Sequence, residues 1–170
     1  MTLSVLKTDP EIKPQTNPMM QADLKDELGQ MVLRILSGSY LLMLKTQAVH
    51  WNISGPLFKS VHDLTEDQYQ DLFVAIDDLA ERIRALGLKA PMNYEAMKDR
   101  TDLEAFDHQT LSSGQMIAAL AAGHELLATE LTAGVKAAGE KGDPATEDLF
   151  TERLRIHQKQ AWMLRAMIAN

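Results

Sequence analysis

The chain has 170 residues, enough for one domain with a sound hydrophobic core, and its 45% apolar content without excess Pro or Gly is that of a globular protein. It has no cysteine, which excludes disulfides, thiolate metal sites and thiol catalysis. Its net charge of −7 argues against a chain built mainly to hold nucleic acid, because phosphate contacts need clustered Lys and Arg, and suits one that attracts cations.

Residues 1–20 carry Pro10, Pro14 and Pro18 and little periodic apolar pattern, so they read as a flexible tail. Lys7 and Lys13 are offset there by Asp9 and Glu11. No basic-then-apolar leader opens the chain and no apolar run reaches the length of a membrane span, so a cytoplasmic protein is expected. The remainder, 21–170, reads as one helical domain. A first long helix is predicted from about Met20 to Trp51, with Leu28, Val32, Ile35, Leu36 and Leu42 recurring at helical spacing. Asn52 to Pro56 is a turn, and Pro56 suits the first turn of a second helix that runs to about Leu86 and stops at Gly87. The apolar stripe of that helix is Phe58, Val61, Tyr69, Leu72, Phe73, Ile76, Ala80 and Ile83. Residues 88–108 are less regular, with a short helix predicted at Tyr94 to Asp99. A third long helix spans about Thr110 to Ala138, with Ile117, Leu120, Leu127, Leu131 and Val135 inward. Gly139 and Gly142 end it. Asp143 and Pro144, a cap followed by proline at the first helical position, open a fourth that continues to about Ile168. Long helices, one long connection and no strand predict an all-α four-helix bundle with a short extra helix in the crossover between helices two and three.

The chemistry concentrates on the second helix, where His62, Glu66, Asp77 and Glu81 share a face. His62 and Asp77 lie about 22 Å apart along the axis, so one chain cannot bring all four to one ion. The interval from His62 to Glu66 equals that from Asp77 to Glu81. Two copies packed antiparallel about a two-fold near residues 71 and 72 set His62 and Glu66 of one chain against Glu81 and Asp77 of the other. That arrangement makes two equivalent metal sites per dimer, each assembled across the interface. His50, which closes the first helix, is placed to join His62. Imidazole with carboxylate and without sulfur favours iron, manganese or zinc.

The run His50-Trp51-Asn52, Gly55, Phe58, His62 and Glu66, followed by Asp77-Asp78-Leu79-Ala80-Glu81-Arg82 and Gly87, resembles the Dps family of miniferritins, and the helix pattern agrees over about residues 20–168. The resemblance implies a ferritin-like subunit in a hollow homododecamer with ferroxidase centres at the dimer two-fold. His50, His62 and Glu66 would come from one subunit and Asp77 and Glu81 from its partner. Iron would be oxidised there, preferably by hydrogen peroxide, and stored inside as ferric mineral, which protects DNA from oxidative damage. Glu66 stands where the family often has Asp, a reach one methylene longer. By the same resemblance Trp51 sits beside the iron centre, where it packs or takes up stray oxidising equivalents. Asp143, Glu147 and Asp148 are similar to acids that line a three-fold pore for Fe2+, although acids at a helix N-terminus also stabilise its dipole. Ordinary ferritins carry Glu-x-x-His pairs within one bundle, and this chain has none.

His108, His124 and His157 read as isolated, with His124 a satisfied buried histidine on the apolar stripe of the third helix. Trp162 reads as core. Met19, Met20, Met31, Met43 and Met163 read as helix-packing residues. Two other functions compete. Direct DNA binding and compaction, with a possible place at the nucleoid, is the family's other activity, but a tail with two lysines and no net positive charge predicts weak binding. A helical scaffold whose metal residues are structural is the remaining reading.

Overall fold

The computed structural model describes residues 22–104 and 110–169, all helix, turn or irregular chain among the described residues. The tail expected over 1–20, with Met19 and Met20, and also His108, fall outside them. Five helices follow in order: α1 Ala22–Asn52, α2 Phe58–Ala85, α3 Tyr94–Lys98, α4 Ser113–Glu140 and α5 Pro144–Met167. The expected architecture of long helices with one short helix in the long crossover is the observed one.

Local chemistry sets the boundaries. Gly55 adopts φ 85°, and the Phe58 N–H donates to the Gly55 carbonyl at 3.0 Å. This turn occupies Pro56 and Leu57, so α2 begins two residues later than Pro56 suggested. At its other end Gly87, at φ 91°, lets the Leu88 N–H reach the Ile83 carbonyl and its own N–H reach that of Arg84. The Ser112 hydroxyl and the Gln115 side chain cap α4 reciprocally. Asp143 caps α5 by accepting from the Thr146 N–H, with Pro144 just inside.

α1 packs along α2 and α4 along α5; the two pairs meet through α1 and α4, and α3 lies on α1. Leu28, Val32, Leu42, Leu72, Leu79, Ile83, Ile117, Leu120, Leu127, Leu131, Phe150 and Leu164 form the centre of the core. Each such side chain contributes ~1.5–3 kcal/mol by leaving water. Gly134 admits the Phe150 ring: a Cβ there would lie 2.7 Å from two ring carbons.

Three apolar placements differ from expectation, the first being Phe58, which is 44% exposed at the start of α2. α2 buries Val61, Leu64, Thr65, Gln68, Leu72, Ala75, Leu79 and Ile83. Phe73, one residue past Leu72 and so about 100° around the helix, is 70% exposed beside Val74 at 61%. Small and polar residues hold inward positions on this helix, so hydrophobicity alone selects the wrong flank. Trp162 is 67% exposed rather than core. The inward series of α5 is Phe150, Arg153, His157, Ala161 and Leu164, and Trp162 falls outside it. Met43 is buried, and Met31 and Met163 pack against the core.

Candidate metal centre

The end of α1 and the start of α2 bring His50 and His62 together. Their rings stack with centroids 3.8 Å apart and planes 18° off parallel. The contact is reciprocal: His50 Nδ1 bonds the His62 carbonyl at 2.9 Å, and His62 Nδ1 bonds the His50 carbonyl at 3.0 Å. A carbonyl oxygen only accepts, so each Nδ1 must carry the hydrogen. Each Nε2 is therefore the nitrogen with the free lone pair, the form in which imidazole ligates a metal. Phe58 stacks on His62 at 5.1 Å, and Tyr69 meets His50 edge-on at 5.3 Å and 81°. Thr65, fully buried behind them, donates its hydroxyl to the Val61 carbonyl at 2.7 Å. The helix-end pair is thus held from several sides before any ion arrives, as outer contacts orient metal-binding imidazoles elsewhere.

The carboxylates lie on the same helix. Glu66, Asp77 and Glu81 are exposed, whereas His50 is buried and His62 half-buried. Asp77 borders an apolar groove formed by Tyr40, Met43, Phe73, Val74 and Ile76. Glu81 shares a second groove, between α2 and α5, with Asp78, Asp148 and Glu152. Among the described residues of one chain, no three His, Asp or Glu side chains converge on a point where they could hold an ion. Within one subunit the imidazoles and the acids Asp77 and Glu81 thus stand apart.

Of the acids expected at a pore, Glu147 is half-buried and Asp148 exposed. Asp143 is only 3% exposed and turned inward, where it accepts from Arg82 at 2.6 Å and from Thr146. Burial pushes its carboxyl up, and hydrogen bonds from Thr146 and Arg82 more than reverse that, holding it below the usual range. The cap that the sequence showed and its ion pair use up this side chain.

Three features escaped the sequence reading. Tyr69 belongs to the expected apolar stripe yet packs at the site, where its offset of seven from His62 puts it on the same helix face. Arg153 of α5 pairs with Asp71 of α2 at 2.7 Å. His124 and His157 are not isolated: they are 2% and 0% exposed, and their Nδ1 atoms lie 2.9 Å apart in a hydrogen bond. Spacing within one helix cannot reveal a pair that joins α4 to α5.

A bundle with this crossover, bearing an imidazole pair where α1 meets α2 and carboxylates along α2, is a ferritin-like architecture. The ferritin-like domain family matches residues 31–170, and the chain belongs to it. Within that family it stands with the Dps proteins. A DNA protection during starvation protein of Agrobacterium fabrum is 31% identical over 150 residues, covering 86% of this chain and 93% of that one. A low temperature-induced protein of Nostoc is 35% identical over 156 residues, covering 89% and 87%. The crystal structure of Dps from Vibrio cholerae, described as a ferritin-like diiron-carboxylate protein, matches with a TM-score of 0.83 at 26% identity over 91% of this chain and 97% of that one. Membership supports an iron-storage role of the Dps type. Among the described residues, no helix is long and apolar enough to cross a membrane.

Proposed function

We propose that the protein oxidises Fe2+ at centres shared between two subunits, with hydrogen peroxide as the preferred oxidant, and stores the ferric product inside a hollow dodecamer. His50, His62 and Glu66 of one chain and Asp77 and Glu81 of its partner form the centre, and Fe2+ is the substrate. The observation that carries this reading is the pair of stacked imidazoles, each with Nδ1 on the other's carbonyl, of which His62 shares its helix face with three exposed carboxylates. The exposed apolar residues Phe73 and Val74 lie between Glu66 and Asp77 on that helix, close to the expected two-fold near residues 71 and 72. A self-complementary contact there covers them and closes each half-site with the other's acids.

The division of labour follows from charge. Neutral imidazole nitrogens accept Fe2+ readily, and the added carboxylates favour the higher charge of Fe3+. Two ferrous ions supply the two electrons that break the peroxide O–O bond, so the reaction ends in water rather than a hydroxyl radical. Removing both reactants of radical chemistry protects DNA, in keeping with a cytoplasmic place in a bacterial cell. Glu147 and Asp148 are the acids left to line a route for Fe2+.

Direct DNA binding is expected to be weak. Arg34, Lys59, Arg82, Lys141, Arg153 and Arg165 are each paired with carboxylates. A gel-shift series should show retardation only at low ionic strength.

The decisive experiment mixes two inactive variants. His50→Ala, His62→Ala protein and Asp77→Ala, Glu81→Ala protein should each fail to oxidise Fe2+ with peroxide after anaerobic loading. Unfolded together and reassembled, they form mixed dimers with one intact centre, so roughly a quarter of the parent rate should return. Activity in either variant alone, or no recovery on mixing, overturns the shared centre.

A further inference from the structure

The middle of the bundle carries polar side chains that the shared centre does not use. Asp71 of α2 pairs there with Arg153 of α5, and His157, one turn beyond Arg153, contacts His124 of α4. Gln68 of α2 donates to Gln160 of α5 at 2.9 Å. Gln68, His124, Arg153 and His157 are buried. The Nε2 atoms of both imidazoles, Arg153 Nε and Gln68 Oε1 are buried without a hydrogen-bond partner. Apolar residues of the same volume would pack such a core at less cost, so the cluster calls for a use.

Two imidazoles and a carboxylate are a metal-ligand set, and a four-helix bundle can hold metal between inward-facing side chains of one chain. Here a guanidinium stands on the carboxylate instead. Arg153 grips Asp71 with two nitrogens, at 2.7 and 3.2 Å. With it in place, no three His, Asp or Glu side chains converge among the described residues. We infer that Arg153 is an internal cation standing in for a metal ion, and that it keeps divalent ions out of a latent site formed by Asp71, His124 and His157. Its permanent charge occupies the carboxylate and repels a second cation. After burial, the same charge is among the causes that hold both imidazoles below their ordinary range. The rings thus stay in the neutral form that ligates, and only the carboxylate is blocked. Asp71 is 35% exposed, which gives an ion a way in once the guanidinium is gone. The benefit rests on the iron-oxidation reading above: Fe2+ is confined to the shared centre and is not oxidised inside a single subunit, away from the partner's acids.

The test titrates Co2+ alone, whose visible absorption intensifies when imidazole and carboxylate replace its water. The host is Asp77→Ala, Glu81→Ala protein, in which the shared centre lacks two of its proposed ligands, and uptake is read as the difference each further substitution makes. Arg153→Met, which keeps a long side chain and drops the charge, should add about one Co2+ per chain. Arg153→Lys should add none. His124→Leu, His157→Leu combined with Arg153→Met should abolish the gain. Where loss of the ion pair weakens the fold, Co2+ should raise the melting temperature of the Arg153→Met protein and leave that of the variant without the imidazoles unchanged. Three results overturn the inference: neither added uptake nor a raised melting temperature in Arg153→Met, an equal gain in Arg153→Lys, or a gain that survives loss of both imidazoles. Co2+ uptake involves no turnover, so the internal cation stands or falls apart from the shared centre, which the mixed-variant experiment decides.

Discussion

His124 and His157 face each other across the bundle with Arg153 and Asp71 nearby, and both Nε2 atoms are buried without a hydrogen-bond partner. Burial, and then the Arg153 charge, pushes His124 down from 6.5 to about 4. His157 is driven well below its ordinary value by burial, then by His124 and Arg153. Both rings are therefore neutral in the fold at pH values where the unfolded chain would protonate them. The unfolded state binds more protons between pH 6.5 and about 4, so stability should fall as pH drops through that window. His124 and His157 both contribute to that loss. Melting temperatures across this range should decline steeply for the parent and much less for His124→Leu, His157→Leu. Parallel curves would show that other groups set the acid limit.

Where helices meet, the start of α5 depends on Asp143, which caps the helix and holds Arg82 of α2. Asp143→Ala removes the cap and leaves the Arg82 guanidinium, 18% exposed, without its carboxylate. The expected loss is about 2–4 kcal/mol, read as a lower denaturant midpoint in subunits that still take up iron. Gly134→Ala should cost about 1–3 kcal/mol, because the added carbon meets the Phe150 ring and not a flexible chain end. An unchanged midpoint would mean that α4 and α5 slide apart freely. Such features also mark how far the sequence could be read. The caps at Ser112 and Asp143 and the stop at Gly87 are local, and their residues announced the helices they bound. His62, Glu66, Asp77 and Glu81 lie on one helix, so their shared face was legible from spacing. His50 beside His62 also followed from the short turn between their helices, but the reciprocal hydrogen bonds of that pair, Tyr69 on His50, Arg153 on Asp71 and His124 on His157 need the packing itself. Phe73 and Trp162 misled because bulk was read as burial, although the period of each helix places both outside the inward series.

For the assembled protein, the exposed Phe73 and Val74 are the apolar surface that the proposed two-fold contact would cover. Phe73→Asp, Val74→Asp should leave helicity intact by circular dichroism, because neither side chain supports the subunit's own core. It should also leave assemblies smaller than the parent's by light scattering and, if the proposed centre is shared between two chains, abolish iron oxidation. Iron oxidation by a monomer would place the chemistry within a single chain. Like charges facing across a two-fold repel, so the acidic surface around Asp77 and Glu81 should also make pairing weaker at low ionic strength and firmer once Fe2+ bridges it.

The two tryptophans bear on how such measurements are read. Trp51 and Trp162 are the only indoles, and both look outward from the single subunit, 71% and 67% exposed. Native fluorescence of an isolated subunit should therefore already have the red-shifted colour of hydrated indole, and denaturant should scarcely change it. A blue shift on dilution into assembly buffer would instead report neighbours closing over those rings, so the optical signal usually taken for folding would here follow quaternary association.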